Sequence, residues 1–220
     1  MKLLVATADF TDIATLCEAG LADGVYTTPT LLHAADAAGD PFARLDEICR
    51  LANRPVYAMV GAATTNDIIR DGRDLARLSD LMVVRVPFVE DAVPAIRRLS
   101  AEGVRVAASF VFNAAQALLA AKAGATAVSV QVDALEAHGE DGAAVVGNIH
   151  ALFERHQVAC DVLAVPATTP ARLLALSRAG ADLVAMSAAD LRAMLLHPLT
   201  DRGMDQHLSE LSRQRPGGTP

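Results

Sequence analysis

The sequence has very little lysine. Of its 19 basic residues, only Lys2 and Lys122 are lysine, and all the others are arginine. A GC-rich genome produces the same bias, so an arginine is not by itself evidence of function. The scarcity still has a chemical consequence, because any reaction that needs a side-chain amine as nucleophile is limited to two positions in this chain.

Other shortages exclude whole classes of partner. The net charge is −7 and the basic residues are scattered singly, which argues against nucleic acid or an anionic membrane as the main partner. Asn113, Gln116 and Lys122 interrupt the longest apolar stretch before it could span a bilayer. Asp9 ends the apolar start before a signal sequence could form. We therefore expect a soluble, cytoplasmic protein.

Metal and cofactor motifs are also missing. The three cysteines are an odd number without metal-ligand spacing, and we expect them to be reduced thiols packed in the core. No glycine-rich dinucleotide motif or P-loop follows any apolar run, which argues against a nucleotide-binding fold. We predict that the protein has no cofactor and no metal.

What the sequence does contain is a regular alternation of short apolar runs and helical patterns. Each run is rich in Val, Ile or Leu, as strands buried on both faces are. Several intervening helices end at a glycine, the usual helix stop. The predicted strands are Lys2–Ala6, Gly24–Thr27, Val56–Val60, Leu81–Val86, Val104–Phe110, Ala127–Val132, Asp161–Val165 and Leu183–Met186.

Eight strands alternating with helices in 220 residues predict an α/β protein with a single (β/α)₈ barrel over residues 1–198. A further amphipathic helix is predicted over 199–213, with Met204, Leu208 and Leu211 on one side. A barrel is complete without it, so we expect it to cover a barrel end or to pack on a neighbouring subunit. Residues 214–220 are predicted to be a disordered tail.

Four segments resemble the small transaldolase and fructose-6-phosphate aldolase family. GVYTTPT at Gly24–Thr30 is similar to the family's segment at the end of strand two, and VVRVP at Val83–Pro87 to its strand four. Ser109–Ala117 resembles its fifth strand and helix, and Leu196–Pro198 leads into a last helix that in the family reaches over an adjacent subunit. The resemblance implies a homo-oligomer, a pentameric or decameric ring.

The same resemblance implies that the family's catalytic residues are changed here. The strand-four lysine, which forms a Schiff base with the ketone substrate, falls at Arg85. The resemblance also implies that Ala6 replaces a proton-transfer aspartate, and that Tyr26 and Thr28 replace a threonine and an asparagine on strand two. Three positions correspond to the polar residues that hold the family's catalytic water: Met59, Ser109 and Gln131. Ala134 corresponds to a phosphate-binding arginine and Pro166 to a serine on strand seven.

A guanidinium remains protonated and is a poor nucleophile, so Arg85 cannot replace the amine. Lys2 begins the first strand, at the end of the barrel away from the active-site face, and Lys122 lies near a helix C-terminus. We therefore predict no Schiff-base aldolase or transaldolase activity. Residual aldolase chemistry through Lys122 is the alternative.

Arg85 itself has three interpretations. A guanidinium fork binds carboxylate or phosphate, so Arg85 can be an anion clamp. It can instead form an internal ion pair with Asp133, or be drift from lysine in a dead site. We favour contact with a ligand, because a charge in an apolar strand is costly unless it is paired or faces the barrel mouth.

Further candidates surround the same barrel mouth. Tyr26 can be a general acid, a wall of the pocket or a hydrogen-bonded packing residue, and Asp133 can carry a proton. We expect the substrate to contact Thr27, Thr28, Met59, Ser109, Gln131 and Pro166. Glu136 and His138, with Asp133, can be acid–base groups or weak metal ligands, but a solvated loop is the interpretation we favour.

Two functions follow. The first is a repurposed lyase, isomerase or cyclase that acts on a small anionic metabolite, with Arg85 holding a carboxylate or a developing oxyanion. The second is a non-catalytic descendant, an oligomeric scaffold that binds a metabolite or a partner protein. The second is favoured by the replacement of the family's polar or charged functional residues at Ala6, Met59 and Ala134. New functional groups such as Tyr26 and Arg85 favour the first.

Overall fold

The computed structural model describes residues 1–214, and these residues form a closed barrel of eight parallel strands. Each strand pairs with its neighbour in chain order, and β1 closes the barrel by pairing with β8. The predicted (β/α)₈ fold is therefore confirmed. The strands are β1 Lys2–Ala6, β2 Gly24–Tyr26, β3 Val56–Met59, β4 Met82–Pro87, β5 Val106–Val111, β6 Ala127–Gln131, β7 Asp161–Val165 and β8 Leu183–Ser187.

Eleven helices connect and follow these strands within the described residues, and most begin at a side-chain cap. In α6, Asn113 caps the first turn and Gly124, at φ 107°, ends the helix in the left-handed conformation that glycine allows. The helices are α1 Phe10–Glu18, α2 Pro29–Ala35, α3 Pro41–Ala52, α4 Thr65–Ala76, α5 Ala92–Ala101, α6 Ala114–Ala123, α7 Val132–Ala137, α8 Gly142–His156, α9 Pro170–Arg178, α10 Ala188–Ala193 and α11 Pro198–Gln214.

Side chains alternate along each strand between two separate apolar clusters. Val84, Val86 and Val128 belong to the larger cluster, which lies between the strands and the surrounding helices. A smaller cluster fills the inside of the barrel: Leu4, Tyr26, Tyr57, Val83, Ala107, Ala127, Leu163, Val165, Leu183 and Ala185. Strand residues two positions from these therefore also point inward, and this rule places Arg85, Ser109 and Ser129 inside the barrel.

The C-terminal helix α11 extends the predicted 199–213 segment by one residue at each end. Its residues 199–213 are exposed in the single chain, including Met204, Leu208 and Leu211. The tail predicted over 214–220 lies outside the described residues except for Gln214, which ends the helix. Among residues 1–214, no helix combines the length and hydropathy that crossing a bilayer requires.

Candidate functional site

Arg85 is the only charged side chain buried among the described residues, with 1% of its surface exposed. Its Nη1 donates a hydrogen bond of 2.7 Å to the carbonyl oxygen of Thr27, which directly follows β2, two strands away from β4. Its guanidinium carbon lies 3.8 Å from the centre of the Tyr26 ring, within the range of a cation–π contact. Burial lowers the pKa of Arg85 to about 10, so the guanidinium is still charged at neutral pH.

The ion pair between Arg85 and Asp133 that we considered is wrong. Asp133 is exposed in the first turn of α7, where its carboxylate accepts a hydrogen bond from the amide of Ala134. Within residues 1–214, no carboxylate lies within salt-bridge distance of Arg85. The physical reason is that a helix starts directly after β6 and carries Asp133 away from the barrel interior. Tyr26 and a backbone carbonyl, rather than an anion, hold the buried charge.

Both lysines lie outside the barrel interior. Lys2 is exposed at the start of β1, the end of the strand opposite to the barrel mouth. Lys122 is exposed in the last turn of α6, where a positive charge is favourable against the helix dipole. Neither side chain is in a position to meet a substrate that contacts Arg85.

Three polar atoms inside the barrel have no hydrogen-bond partner in the protein. They are Nε of Arg85, Oγ of Ser109 and Oγ of Ser129, and both serines are fully buried. Buried polar atoms are costly unless they find a partner, so such a group of three indicates a place for a polar ligand or water. Ser129 was missed in the sequence because it interrupts an apolar run with a small neutral side chain. Its alternation with Ala127 along β6 was the available signal.

The strand that carries Ser109 is irregular at the barrel mouth. The pairing of β5 with β6 shifts register between Ala108 and Val111. Phe110 within this bulge has φ 61°, a left-handed backbone conformation that is unusual for a bulky side chain, and its ring is exposed. Such backbone strain is common beside functional sites, and here it follows directly after one of the three unpartnered groups.

Of the remaining residues predicted to contact the substrate, two use their hydroxyl groups within the fold and three are partly exposed at the barrel mouth. The hydroxyl of Thr27 donates to the carbonyl of Tyr57 at 3.0 Å, and the hydroxyl of Thr28 caps α2. Both hydroxyls therefore already stabilise the fold. Met59, Gln131 and Pro166 lie at or just beyond the C-terminal ends of β3, β6 and β7, and all three are partly exposed at that mouth.

The segment after β6 is a helix, α7, and not the solvated loop that we favoured. Glu136 forms a salt bridge with Arg172 at the start of α9. His138 is hydrogen-bonded through Nδ1 to the carbonyl oxygen of Ala134. In the described part of the chain, no three His, Cys, Asp or Glu side chains are grouped as a metal site.

A cavity of about 440 Å³ opens beside the barrel rather than over Arg85. It lies among α2, α3 and α4, with Met59 at its barrel side and Leu32, Phe42 and Leu75 among its apolar walls. Of the predicted contact residues, only Met59 lines it. Titratable side chains also line this cavity: His33, Asp36, Asp40, Arg44, Asp71 and Asp74. None of the three unpartnered polar groups inside the barrel lines it, so the cavity is separate from the candidate site at Arg85.

Comparisons with known proteins agree with this architecture. The model of the family described as Transaldolase/Fructose-6-phosphate aldolase matches residues 3–215. A probable transaldolase of Hyphomonas neptunium is 36% identical over 214 residues, which cover 97% of this chain and 98% of that protein. A probable transaldolase of Kosmotoga olearia is 36% identical over 218 residues, which cover 99% of each chain.

Two solved structures share the fold at low identity. A cube-shaped protein cage, designed by fusing symmetric oligomeric domains, has a TM-score of 0.63 at 16% identity and is matched over 97% of this chain and 78% of that one. FabK of Thermotoga maritima has a TM-score of 0.57 at 17% identity, over 84% of this chain and 57% of that one. These likenesses concern the barrel alone. By its family match and by its full-length relatives, the chain belongs to the transaldolase/fructose-6-phosphate aldolase family.

Proposed function

We propose that this chain is an enzyme of its family that works without a lysine Schiff base, as a lyase, isomerase or cyclase acting on a small anionic metabolite. The observation that carries the proposal is the buried, charged and incompletely bonded guanidinium of Arg85 inside the barrel. The resemblance implies a lysine at this position, and both lysines of the chain lie elsewhere. A buried arginine at the position of the implied lysine, with both lysines outside the barrel interior, supports a site whose chemistry differs from that of the family.

In the proposed chemistry Arg85 supplies a fixed positive charge. A guanidinium that keeps its proton stabilises a carboxylate or a developing oxyanion, and a low-dielectric interior strengthens that attraction. The contacts with Tyr26 and with the Thr27 carbonyl hold the guanidinium in place before the ligand binds, so little reorganisation is needed. Of the two proton carriers that the sequence offers, Tyr26 contacts Arg85 whereas Asp133 is exposed on α7, so we propose Tyr26.

The test begins with thermal unfolding against a panel of small carboxylates, phosphates and sugar phosphates. A ligand that raises the Tm of the wild type but not of Arg85→Met identifies the guanidinium as the anion clamp. Arg105→Met is the matched control, because Arg105 precedes β5 at the opposite end of the barrel and donates to the Asp80 carbonyl. Equal Tm shifts in wild type and Arg85→Met would reject the clamp.

The second step separates an enzyme from a scaffold. Any stabilising ligand is incubated with the purified protein and followed by NMR, and we expect the wild type to convert it. Tyr26→Phe, which keeps the ring over Arg85, is expected to bind the ligand but to lose turnover by about 10²-fold or more if Tyr26 carries the proton. Binding without turnover in the wild type favours the alternative, a non-catalytic metabolite-binding protein.

We also propose that the chain forms a homo-oligomer through α11. The helix presents Met204, Leu208 and Leu211 to solvent in the single chain, and Leu195 and Leu196, shortly before the helix, are also exposed. A group of large exposed apolar side chains in one segment is typical of an interface. Light scattering of the wild type and of Leu208→Asp tests the proposal. A larger assembly that dissociates in the variant supports it, and a monomeric wild type contradicts it.

A further inference from the structure

The cavity between α2, α3 and α4 is a space that the proposed function does not use. Its volume of about 440 Å³ lies within the range of about 300 to 1,000 Å³ that is typical of small-molecule sites. The apolar part of its wall comes from the three helices and from the end of β3: Leu32, Phe42, Leu45, Met59 and Leu75. Because Arg85 does not line it, the cavity can hold a ligand independently of the barrel interior.

The outer side of the cavity is a thinly packed part of the chain. α2 has no buried residue, and residues 33–43, which include the connection to α3, are all exposed. Phe42, at the start of α3, lines the cavity and yet has 42% of its surface exposed. A ligand placed here would remove Leu32 and Phe42 from water, and the burial of apolar surface is a major favourable contribution to binding. The walls therefore favour a ligand with an apolar body.

The charged side chains that line the cavity are mostly acidic. Four of them are aspartates and one is an arginine: Asp36, Asp40, Asp71, Asp74 and Arg44. The guanidinium of Arg44 is already engaged, because its Nε and Nη2 donate to the Ala8 carbonyl at 3.1 and 2.7 Å and its carbon lies 4.3 Å from the centre of the Phe10 ring. An anionic ligand would be repelled by this wall, whereas an ammonium group would be attracted.

The four carboxylates differ in the partners that they already have. Asp71 and Asp74 each contact a neighbouring arginine outside the cavity, at 3.2 and 2.9 Å. Asp40 caps the first turn of α3. Asp36, exposed directly after α2, forms no salt bridge with any residue in the described part of the chain. Asp36 is therefore the carboxylate that is freest to pair with the positive charge of a ligand.

We propose that this cavity is a binding site for a small organic ammonium ion, with its apolar body against Leu32, Phe42 and Leu75 and its charge beside Asp36. The size of the cavity and its apolar walls call for a small molecule with an apolar part, and the excess of carboxylates selects a cation. The site is separate from the anion clamp proposed at Arg85, so each proposal can be correct or wrong without the other.

The test uses 2-phenylethylamine as the probe, together with two molecules of similar shape: 2-phenylethanol, which is neutral, and 3-phenylpropionate, which is an anion. Affinities are measured by calorimetry on the full chain at neutral pH and low ionic strength. We expect the amine to bind about tenfold more tightly than the alcohol, which is what one or two partly exposed ion pairs provide. The acid should bind most weakly of the three. Ethylamine, which has the charge without the ring, should bind at least about tenfold more weakly than 2-phenylethylamine.

Two variants separate the charge from the apolar wall. Asp36→Asn should reduce the preference for the amine over the alcohol by about threefold or more and leave the affinity for the alcohol unchanged. Asp80→Asn is the matched control, because Asp80 is also exposed but precedes β4 at the opposite end of the barrel, outside the cavity. Leu32→Ala should weaken the binding of the amine and of the alcohol by the same factor.

Three results would overturn the proposal. Equal affinity for the amine and the alcohol, or an effect of Asp36→Asn no larger than that of Asp80→Asn, would reject a site for cations. If the wild type binds none of the three aromatic probes, the cavity is not a small-molecule site. If Leu208→Asp binds the amine as a monomer while an assembled wild type does not, a second copy of the chain covers the cavity. None of these results bears on the anion clamp at Arg85.

Discussion

Arg85→Lys should give this barrel a lysine that can be trapped as a Schiff base. Burial lowers the pKa of the Arg85 guanidinium to about 10. The same burial acting on a lysine at this position would lower the pKa of its ammonium group below the ordinary value of about 10.4. At pH 8 a larger fraction of these side chains would then be the neutral amine than the less than about 1% expected for an exposed lysine.

The assay is reduction by borohydride in the presence of dihydroxyacetone, followed by mass spectrometry of intact protein and peptides. A neutral amine attacks the ketone, loses water to form the imine, and is fixed when borohydride reduces that imine. We expect one adduct on residue 85 in Arg85→Lys and none in the wild type. Lys2 and Lys122 are present in both proteins and serve as internal controls for non-specific reaction.

Two results would refute this reasoning. If folded Arg85→Lys gives no adduct, the interior does not shift a lysine pKa as it shifts that of arginine. If the wild type is trapped on Lys122 or Lys2 as efficiently as the variant is on residue 85, a lysine outside the interior can perform the chemistry. Circular dichroism of the variant ensures that a negative result does not come from unfolding.

Three further predictions test the structure away from the site. Gly180→Ala should lower the free energy of unfolding by about 1 to 3 kcal/mol more than Gly103→Ala, as measured by urea unfolding. Both glycines have positive φ, but a Cβ at Gly180 would meet the His150 ring at 2.3 Å, whereas one at Gly103 meets nothing within 4 Å. Burial raises the pKa of all three cysteine thiols, so none should react with a disulfide reagent at pH 8 until the protein is unfolded, and rapid reaction of the native protein would contradict the core packing. Two arginine hydrogen bonds hold the pKa of Glu102 at about 2, so the stability that Glu102→Gln removes should be present above pH 4.5 and vanish as the pH falls toward 2. A pH-independent difference in Tm would show that the carboxylate is not held by these arginines.

The fold could be predicted from the sequence because each strand is a short apolar run bounded by helix caps and stops. β1 and β7 have the predicted limits, and β5 begins two residues later than predicted, at Val106. Such runs are visible because burial on both faces demands uninterrupted apolar residues. The family could be recognised from four segments, and the comparison with its members confirms it.

The candidate site was only partly predictable. Arg85 was identified because a charge in an apolar strand is conspicuous, but its partners depend on other strands and could not be predicted from local sequence. Asp133 was placed wrongly because nothing in a short polar segment distinguishes a strand end from the first turn of a helix. Ser129 was missed because its significance lies in lacking a partner, which is a property of the whole barrel.

The measurement that tests the central claim most directly is the Nε–H resonance of Arg85 in ¹⁵N-labelled protein. The resonance is assigned by its disappearance in Arg85→Met, and it is followed while the protein is titrated with the carboxylic acid of the panel that gives the largest rise in Tm. The account predicts that the signal shifts and saturates with the same affinity that calorimetry gives, because the free Nε gains an acceptor. An acid that binds while this signal stays in place, or a panel in which no acid binds, would contradict it.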